Sequence, residues 1–161
     1  MDDAQRQLDG FIDKFTPENA ALTRALLDRM KTRIPGAAIL VYDNYNALAV
    51  GWSPTDRVGH TFCSIAVGRS SGNVHFGFYW GSQIADPKRI LLGEGNQYRY
   101  VLVKDKEDFP KAYLQKLMKE AYANSLAKVK DKKQIMHGAT ITKSISSRKR
   151  SAKRVSTAKK K

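Results

Sequence analysis

The last 36 residues of this 161-residue chain carry its strongest chemical signal, a concentration of positive charge. Residues 126–161 hold 13 of the 29 Lys and Arg residues but only one of the 15 Asp and Glu residues. Residues 1–125 hold 16 basic and 14 acidic residues, so they are nearly neutral. Three basic clusters stand near the C-terminus: Arg148, Lys149, Arg150, Lys153, Arg154, Lys159, Lys160 and Lys161. A nearly neutral body with a basic end is a molecule of two parts.

These clusters predict association with the phosphate backbone of nucleic acid. Each Lys or Arg that contacts a phosphate releases condensed counterions, so affinity falls with salt and is blind to sequence. Contact with eight phosphates would give a slope of about −7 when log affinity is plotted against log salt concentration. No Phe, Trp or Tyr follows Tyr122, so this segment offers no ring for base stacking. The alternative is a segment that only keeps the protein soluble.

A second group of residues, in the body, suits the binding of a planar or anionic ligand. Tyrosine rings stack on planar groups, and arginine both stacks and donates paired hydrogen bonds to anions. The candidate pocket residues are Tyr42, Asp43, Tyr45, Trp52, Arg57, Tyr98 and Arg99, with Tyr100 beside them. The alternative is structural: Asp43 builds a turn, the aromatic rings pack against helices, and Arg99 pairs with a carboxylate. The sequence leaves both interpretations open.

No pattern in the chain predicts catalysis or a bound metal. His60, His75 and His137 lack the spacing of metal ligands. The one cysteine, Cys63, lies in a predicted strand and is expected to be a buried thiol. His75 shares a strand face with Tyr79, and that face is either solvated or part of a pocket. We therefore predict no catalytic residue, no metal ligand and no cofactor.

The helices and strands that must position these residues are indicated by the spacing of apolar residues along the chain. Apolar residues recur at helical spacing in residues 8–15, 22–34 and 113–122, and short apolar runs between turn residues predict strands. The predicted order is α-α-β-β-β-β-β-α, with a hairpin around residues 69–72. Short connections between strands favour an α+β fold: an antiparallel sheet of about five strands, flanked by two N-terminal helices and one C-terminal helix.

The periodicity ends near residue 130. Residues 131–161 combine high charge with few apolar residues, which predicts a disordered Lys/Arg/Ser tail. Residues 1–130 form the predicted α/β domain. The apolar stripe from Tyr113 to Tyr122 suits the core of that domain and a homodimer interface equally well.

Two blocks of this domain resemble the YdhG-like family, a group of bacterial domains of unknown function. They are VYDNYNALAVGWSPTDR at Val41 to Arg57 and LLGEGNQYRYVLV at Leu91 to Val103. With the helix that follows them, the resemblance covers residues 5–127 and excludes the basic tail. It implies a compact α/β domain with a curved antiparallel sheet, similar to secretion-chaperone folds.

The resemblance also implies an alternative function, because some relatives are described as frataxin-like iron chaperones. Iron binding would need a carboxylate-rich surface, and the first helix offers Asp2, Asp3, Asp9 and Asp13. Asp9 and Asp13 are one helical turn apart and so close enough to share an ion. The structural alternative is that these acids form the solvated face of a helix whose N-terminus favours negative charge.

The sequence as a whole favours a non-enzymatic binding module. Its body binds an unknown small ligand or protein, and its tail associates with nucleic acid without sequence preference. The alternatives are a frataxin-like iron or small-molecule chaperone and a globular domain with a merely solubilising tail. No apolar run approaches the roughly 18 residues of a membrane helix, and the acidic start is unlike a signal peptide. With one cysteine, the chain is expected to be cytoplasmic and, if it binds DNA, nucleoid-associated.

Overall fold

A computed structural model of the chain describes residues 2–34, 36–94, 97–109 and 111–152. In this part of the chain, three helices and six strands form one α+β unit. The helices are α1 (Asp3–Ile12), α2 (Pro17–Arg33) and α3 (Ala112–Lys128). The strands are β1 (Ala38–Asp43), β2 (Ala47–Ser53), β3 (Cys63–Gly68), β4 (Val74–Phe78), β5 (Arg99–Leu102) and β6 (Thr140–Ile145). The predicted fold class is confirmed.

The six strands form one sheet in the order β5-β4-β3-β2-β1-β6 among the described residues. Consecutive strands from β1 to β5 pair antiparallel, whereas β6 runs parallel to β1 at the edge. The predicted hairpin joins β3 to β4. Gly68 N–H donates to Asn73 O at 3.0 Å, and Gly72 has a φ of +71°, a conformation that favours glycine.

The hydrophobic core lies between the helices and one face of the sheet. Alternate strand residues point to this face, among them Trp52, Ile65 and Phe76, which are at most 1% exposed. Leu26 and Met30 of α2 are fully buried against the same cluster. Cys63 is also fully buried there, as expected, and burial raises the pKa of its thiol well above the usual value.

The apolar stripe of α3 packs within the chain. Leu114, Leu117, Met118 and Ala121 recur at helical spacing and belong to the same core cluster as the strand residues. The stripe therefore takes the first of its two predicted roles, a face of the domain core.

The prediction of disorder from residue 131 onward is wrong for the segment that leads to and forms β6. Residues Lys132–Gln134 make a short 3-10 turn, and Thr140–Ile145 pair with β1. Met136 N–H donates to Pro54 O at 2.8 Å, which attaches the connection to the end of β2. The polar segment is ordered by backbone hydrogen bonds to an open sheet edge, which its composition does not reveal. The folded unit thus extends past the predicted boundary at residue 130.

On the face of the sheet opposite the core, the central strands β2 and β3 carry short side chains. One row across the sheet, fixed by the strand register, consists of Tyr42, Ala49, Ala66, His75 and Leu102. The neighbouring row consists of Leu40, Gly51, Ser64, Gly77 and Tyr100. Because alanine, glycine and serine project little above the backbone, this small-residue face leaves room for a groove.

Candidate nucleic-acid interface

A buried aspartate organises the end of the molecule where the β1–β2 and β3–β4 turns meet. Asp43, the last residue of β1, is fully buried, and its carboxylate pairs with the guanidinium of Arg69. The ammonium nitrogen of Lys149 lies 3.2 Å from the second carboxylate oxygen, Oδ2. A buried carboxylate needs such partners because its removal from water is costly. Asp43 therefore fixes the positions of two cations from distant parts of the chain.

Arg69 connects the β3–β4 turn to the β1–β2 turn. Its Nε donates to Asn44 O at 3.0 Å, and its backbone N–H donates to Asn46 O at 2.9 Å. Its guanidinium carbon also lies 5.0 Å from the centroid of the Phe15 ring, within cation–π range. These contacts hold Arg69 on the folded body and leave it little freedom to reorient.

The segment after β6, residues 146–152, lies against the β1–β2 turn and is called the basic segment. Ser146 N–H donates to Asp43 O at 2.9 Å, and Arg150 N–H donates to Tyr45 O at 2.9 Å. Lys149 Nζ also donates to Asp43 O at 2.9 Å. The basic segment is thus docked by backbone and side-chain bonds and does not extend freely from the body.

The structure describes three of the eight predicted nucleic-acid-binding residues. Arg148 and Arg150 are exposed, whereas Lys149 is partly buried by its pairing with Asp43. The expectation that these three belong to a disordered tail is therefore wrong. The other five lie outside the described residues: Lys153, Arg154, Lys159, Lys160 and Lys161.

A groove of about 340 Å³, here named the basic groove, separates the start of α2 from the β3–β4 turn and the basic segment. Its cationic lining residues are Lys14, Arg69, Lys149 and Arg150. Its hydroxyl and amide lining residues are Thr16, Asn19, Ser70 and Ser71. The one buried carboxylate of Asp43 cannot neutralise four cations, so the groove is positive. Cations beside hydroxyl and amide donors are the groups that proteins use for phosphate oxygens.

The predicted ligand-pocket residues do not form one pocket, because the strands divide them between two faces. Neighbouring strand residues point to opposite sides of a sheet. Tyr42 is on the small-residue face, whereas Asp43 is buried on the other side. Tyr98 packs over Gly77 on the small-residue face, whereas Arg99 pairs in register with core residue Phe78. Grouping these neighbours as one site was wrong.

The three other predicted pocket residues have separate positions. Trp52 is 1% exposed and belongs to the core. Tyr45 is 42% exposed in the β1–β2 turn, where its carbonyl accepts from Arg150. Arg57 lies in the loop after β2, and its backbone N–H donates to Thr55 Oγ1 at 3.1 Å. Trp52 therefore matches the structural alternative, in which the aromatic ring packs inside the domain and binds no ligand.

A second groove, of about 430 Å³, lies on the small-residue face and is called the sheet-face groove. Its lining residues are Ala47, Ala49, Ser64, Ala66, Gly68, Ser71, His75, Tyr79, Gln97 and Tyr98. His75 and Tyr79 thus face a pocket, the second of the two possibilities that the sequence left open. Gly68 and Ser71 line both grooves, so the sheet-face groove adjoins the basic groove.

Four rings in and beside β4 and β5 follow one another and are called the aromatic row: Tyr79, Tyr98, Tyr100 and His75. Tyr79 and Tyr98 have centroids 5.5 Å apart, and Tyr98 and Tyr100 have centroids 5.8 Å apart. Tyr100 is stacked on His75 at 4.5 Å, with only 6° between the ring planes. Gly77 permits this arrangement, since a Cβ there would overlap the Tyr98 ring. The row therefore depends on a glycine in the middle of β4.

Two rings of the aromatic row, those of Tyr98 and His75, are uncharged at neutral pH. Burial raises the pKa of Tyr98 to about 12, although a side-chain hydrogen bond with Ser64 acts in the opposite direction. Burial lowers the pKa of His75 below its usual value. Tyr42, across the same face, has a buried hydroxyl without a hydrogen-bond partner, and burial raises its pKa. Neutral rings of this kind favour the stacking of planar groups.

The acids that the family resemblance suggested as iron ligands have partners in the protein. Arg24 nitrogen Nη2 lies 2.9 Å from Asp9 Oδ1 and 2.6 Å from Asp13 Oδ1. Asp2 caps α1 by accepting from Gln5 N–H at 2.8 Å. A cation at Asp9 and Asp13 would have to displace the Arg24 guanidinium. Within the described ranges, no group of three or more His, Cys, Asp and Glu is placed to hold a metal ion.

Sequence reasoning missed several residues of the two grooves. Lys14 and Arg69 are isolated cations in the sequence, so nothing marks them as neighbours of the basic segment. The sequence placed His75 and Tyr79 on one strand face, because residues 75, 77 and 79 alternate onto the same side, but did not connect that face with the last strand. Extending that alternation to Tyr98 and Tyr100 of the last strand would have indicated the aromatic row.

Comparison with known proteins adds no assignment to this geometry. No family model matches the chain, and no curated protein or solved structure matches it. The resemblance to the YdhG-like family therefore stays a prediction. Of the helices in the described part of the chain, none has both the length and the apolar character required to cross a bilayer.

Proposed function

We propose that this protein is a non-enzymatic module that binds the phosphate backbone of nucleic acid through its basic groove. One observation carries the proposal: Lys14, Arg69 and Arg150, from three separate stretches of the chain, line a single groove together with hydroxyl and amide donors. Such donors hold phosphates but read no base edges, so we expect binding without sequence preference.

The overall charge favours an extended polyanion over a single small anion. The chain has a formal charge of +14, and 13 of its Lys and Arg residues follow residue 125. A run of phosphates can engage the basic groove and the C-terminal lysines together, with release of counterions at each contact. We expect dissociation constants of about 10⁻⁴ to 10⁻⁶ M near physiological salt. A cytoplasmic, nucleoid-associated location is part of this proposal.

The test is DNA binding by the full chain, followed by fluorescence anisotropy between about 50 and 300 mM salt. The test variant carries Lys14→Gln and Arg150→Gln. Arg69 and Lys149 are kept, because both pair with buried Asp43 and their loss would disturb the fold. We expect weaker binding and a log–log salt slope that is shallower by about 2, one for each lost phosphate contact.

The matched control carries Lys116→Gln and Lys119→Gln on the exposed side of α3, and so has the same change in charge. We expect this control to bind with the slope of the unchanged protein. An equal decrease in both variants would show that total charge, and not the basic groove, determines binding. Absence of salt-dependent binding by the unchanged protein would identify the basic C-terminal segment as a solubilising feature and refute the proposal.

A further inference from the structure

We infer that the sheet-face groove receives an unpaired base, so that the nucleic acid held by the basic groove is single-stranded. The inference rests on the proposed function, because the basic groove supplies the contacts to the backbone. It adds a substrate class that the charge of the chain cannot indicate, since a duplex and a single strand both carry phosphates.

The aromatic row provides the surface on which a base would stack. Tyr79, Tyr98 and Tyr100 are each half-buried, and Tyr79 and Tyr98 line the groove. Sequence-independent binders of single strands place bases on such rings, because every base has a π-face. The C-terminal segment contains no Phe, Trp or Tyr, but the body supplies the rings that it lacks.

The floor of the groove gives a base room to enter. Ala47, Ala49 and Ala66 lie beside the aromatic row and rise little above the backbone. The volume of about 430 Å³ is within the range of sites that accept small molecules, about 300–1,000 Å³. Exposed Gln97 adds an amide that can donate to or accept from the edge of different bases.

The position of the groove matches a strand whose phosphates lie in the basic groove. Gly68 and Ser71, at the β3–β4 turn, line both grooves. A nucleotide at this boundary would keep its phosphate near Arg150 and turn its base toward the aromatic row. A duplex cannot do this without losing base pairs, because its bases are paired and stacked on both faces.

The experiment compares three labelled probes on the full chain at equal salt. They are an oligothymidylate of about twelve nucleotides, an abasic strand with the same phosphates, and a duplex of the same length. We expect the base-bearing strand to bind roughly five- to one-hundred-fold tighter than the abasic strand, the effect of stacking one base. This comparison needs no substitution and so does not depend on the folding of any variant.

Variants then assign the difference to the aromatic row. Tyr98→Ala removes the central ring, and we expect it to bind the thymidylate and abasic strands almost equally. Tyr98→Phe keeps the ring and loses only the hydroxyl that bonds to Ser64, so it should restore the preference. Circular dichroism and urea unfolding of each variant verify that the fold is retained.

The outcomes separate this inference from the proposed function. Steep salt dependence with equal affinity for the thymidylate and abasic strands would retain backbone binding and overturn base stacking. A preference for the duplex over the thymidylate strand would also overturn the inference. Absence of salt-dependent binding to every probe would refute the proposed function, and the inference with it.

Discussion

Asp43 has a role that its local sequence conceals. In the sequence, Asp43-Asn44 is typical of a turn or of a ligand pocket, whereas the structure shows a fully buried carboxylate between two cations. Lys149 is 106 positions away, yet its ammonium forms an ion pair with the Asp43 side chain and donates a hydrogen bond to the Asp43 carbonyl. The pair fastens the basic segment to the body, so a residue outside the basic groove determines how that groove is built.

At the scale of this residue, we predict that Asp43→Asn destabilises the protein by about 3–5 kcal/mol. The substitution leaves Arg69, whose side chain is 6% exposed, without its charged partner. Urea unfolding of the variant measures the loss. Lys149→Gln is the matched comparison and should cost less, because that side chain is 21% exposed and its removal leaves Asp43 paired with Arg69. A change below about 1 kcal/mol for Asp43→Asn would contradict the prediction.

The strand β6 connects the sheet to the basic segment. Ile39 N–H donates to Ala139 O at 2.7 Å at its beginning, and the two strands stay paired to Asp43 and Ile145. Helix α1 covers the same edge: Gln5 Nε2 donates to Thr140 Oγ1 at 2.7 Å. Without β6, the edge of β1 would present unpaired backbone groups. β6 is therefore part of the domain and carries the basic segment to its position.

For this element, we predict that a chain ending after Ala139 is less stable by about 2–5 kcal/mol. The estimate follows from several lost backbone hydrogen bonds at about 1 kcal/mol each. A chain ending after Ile145 is the control, because it keeps β6 and, like the shorter chain, lacks the contacts of Lys149 and Arg150. Urea unfolding and size-exclusion chromatography compare the two, and the shorter chain should also self-associate through its open edge. Equal unfolding midpoints would show that β6 contributes nothing to stability.

On the scale of the whole molecule, the basic groove adjoins the sheet face that carries the aromatic row. The basic groove and the sheet-face groove adjoin at the β3–β4 turn, while the helices and the core lie on the opposite face of the sheet.

The fold disfavours the charged form of two histidines that lie outside the basic groove. Burial lowers the pKa of both His60 and His75, and nearby Arg57 and Lys128 lower that of His60 further.

We predict that the stability of the whole protein falls as the pH decreases below about 6.5, the usual histidine pKa. Because the pKa of His60 and of His75 is lower in the folded protein, the unfolded chain binds protons more readily in this range, so acid favours the unfolded state. Asp86, whose pKa is also lowered, begins to matter only near its usual value of 3.8. Urea midpoints at several pH values between about 5 and 8 measure the effect.

The control for this dependence is a His60→Gln, His75→Gln variant, which cannot take up those protons. Its urea midpoint should vary less with pH over the same range. An unchanged midpoint of the unsubstituted protein across this range would contradict the prediction, as would an equal slope in the variant.

Local patterns were sufficient for much of the fold. The helical spacing of Leu114, Leu117 and Met118 and the turn residues after Gly68 specified elements without any knowledge of their neighbours. Each such signal depends on residues within a few positions of one another, where backbone geometry alone relates sequence to structure. The separation of charge at residue 125 is also a property of the sequence itself.

Those local patterns could not predict which distant segments of the chain pair with one another. Residues 140–145, TITKSI, contain β-branched Thr and Ile among polar residues, which is a weak strand signal. They form β6 because they pair with the edge of β1, about a hundred positions earlier in the chain. The union of Lys14, Arg150 and the β3–β4 turn in one groove likewise depends on tertiary contacts, as does the adjacency of that groove to the aromatic row. Hydrogen bonding and burial between distant segments brought these groups together, and no local periodicity encodes which distant segments will meet.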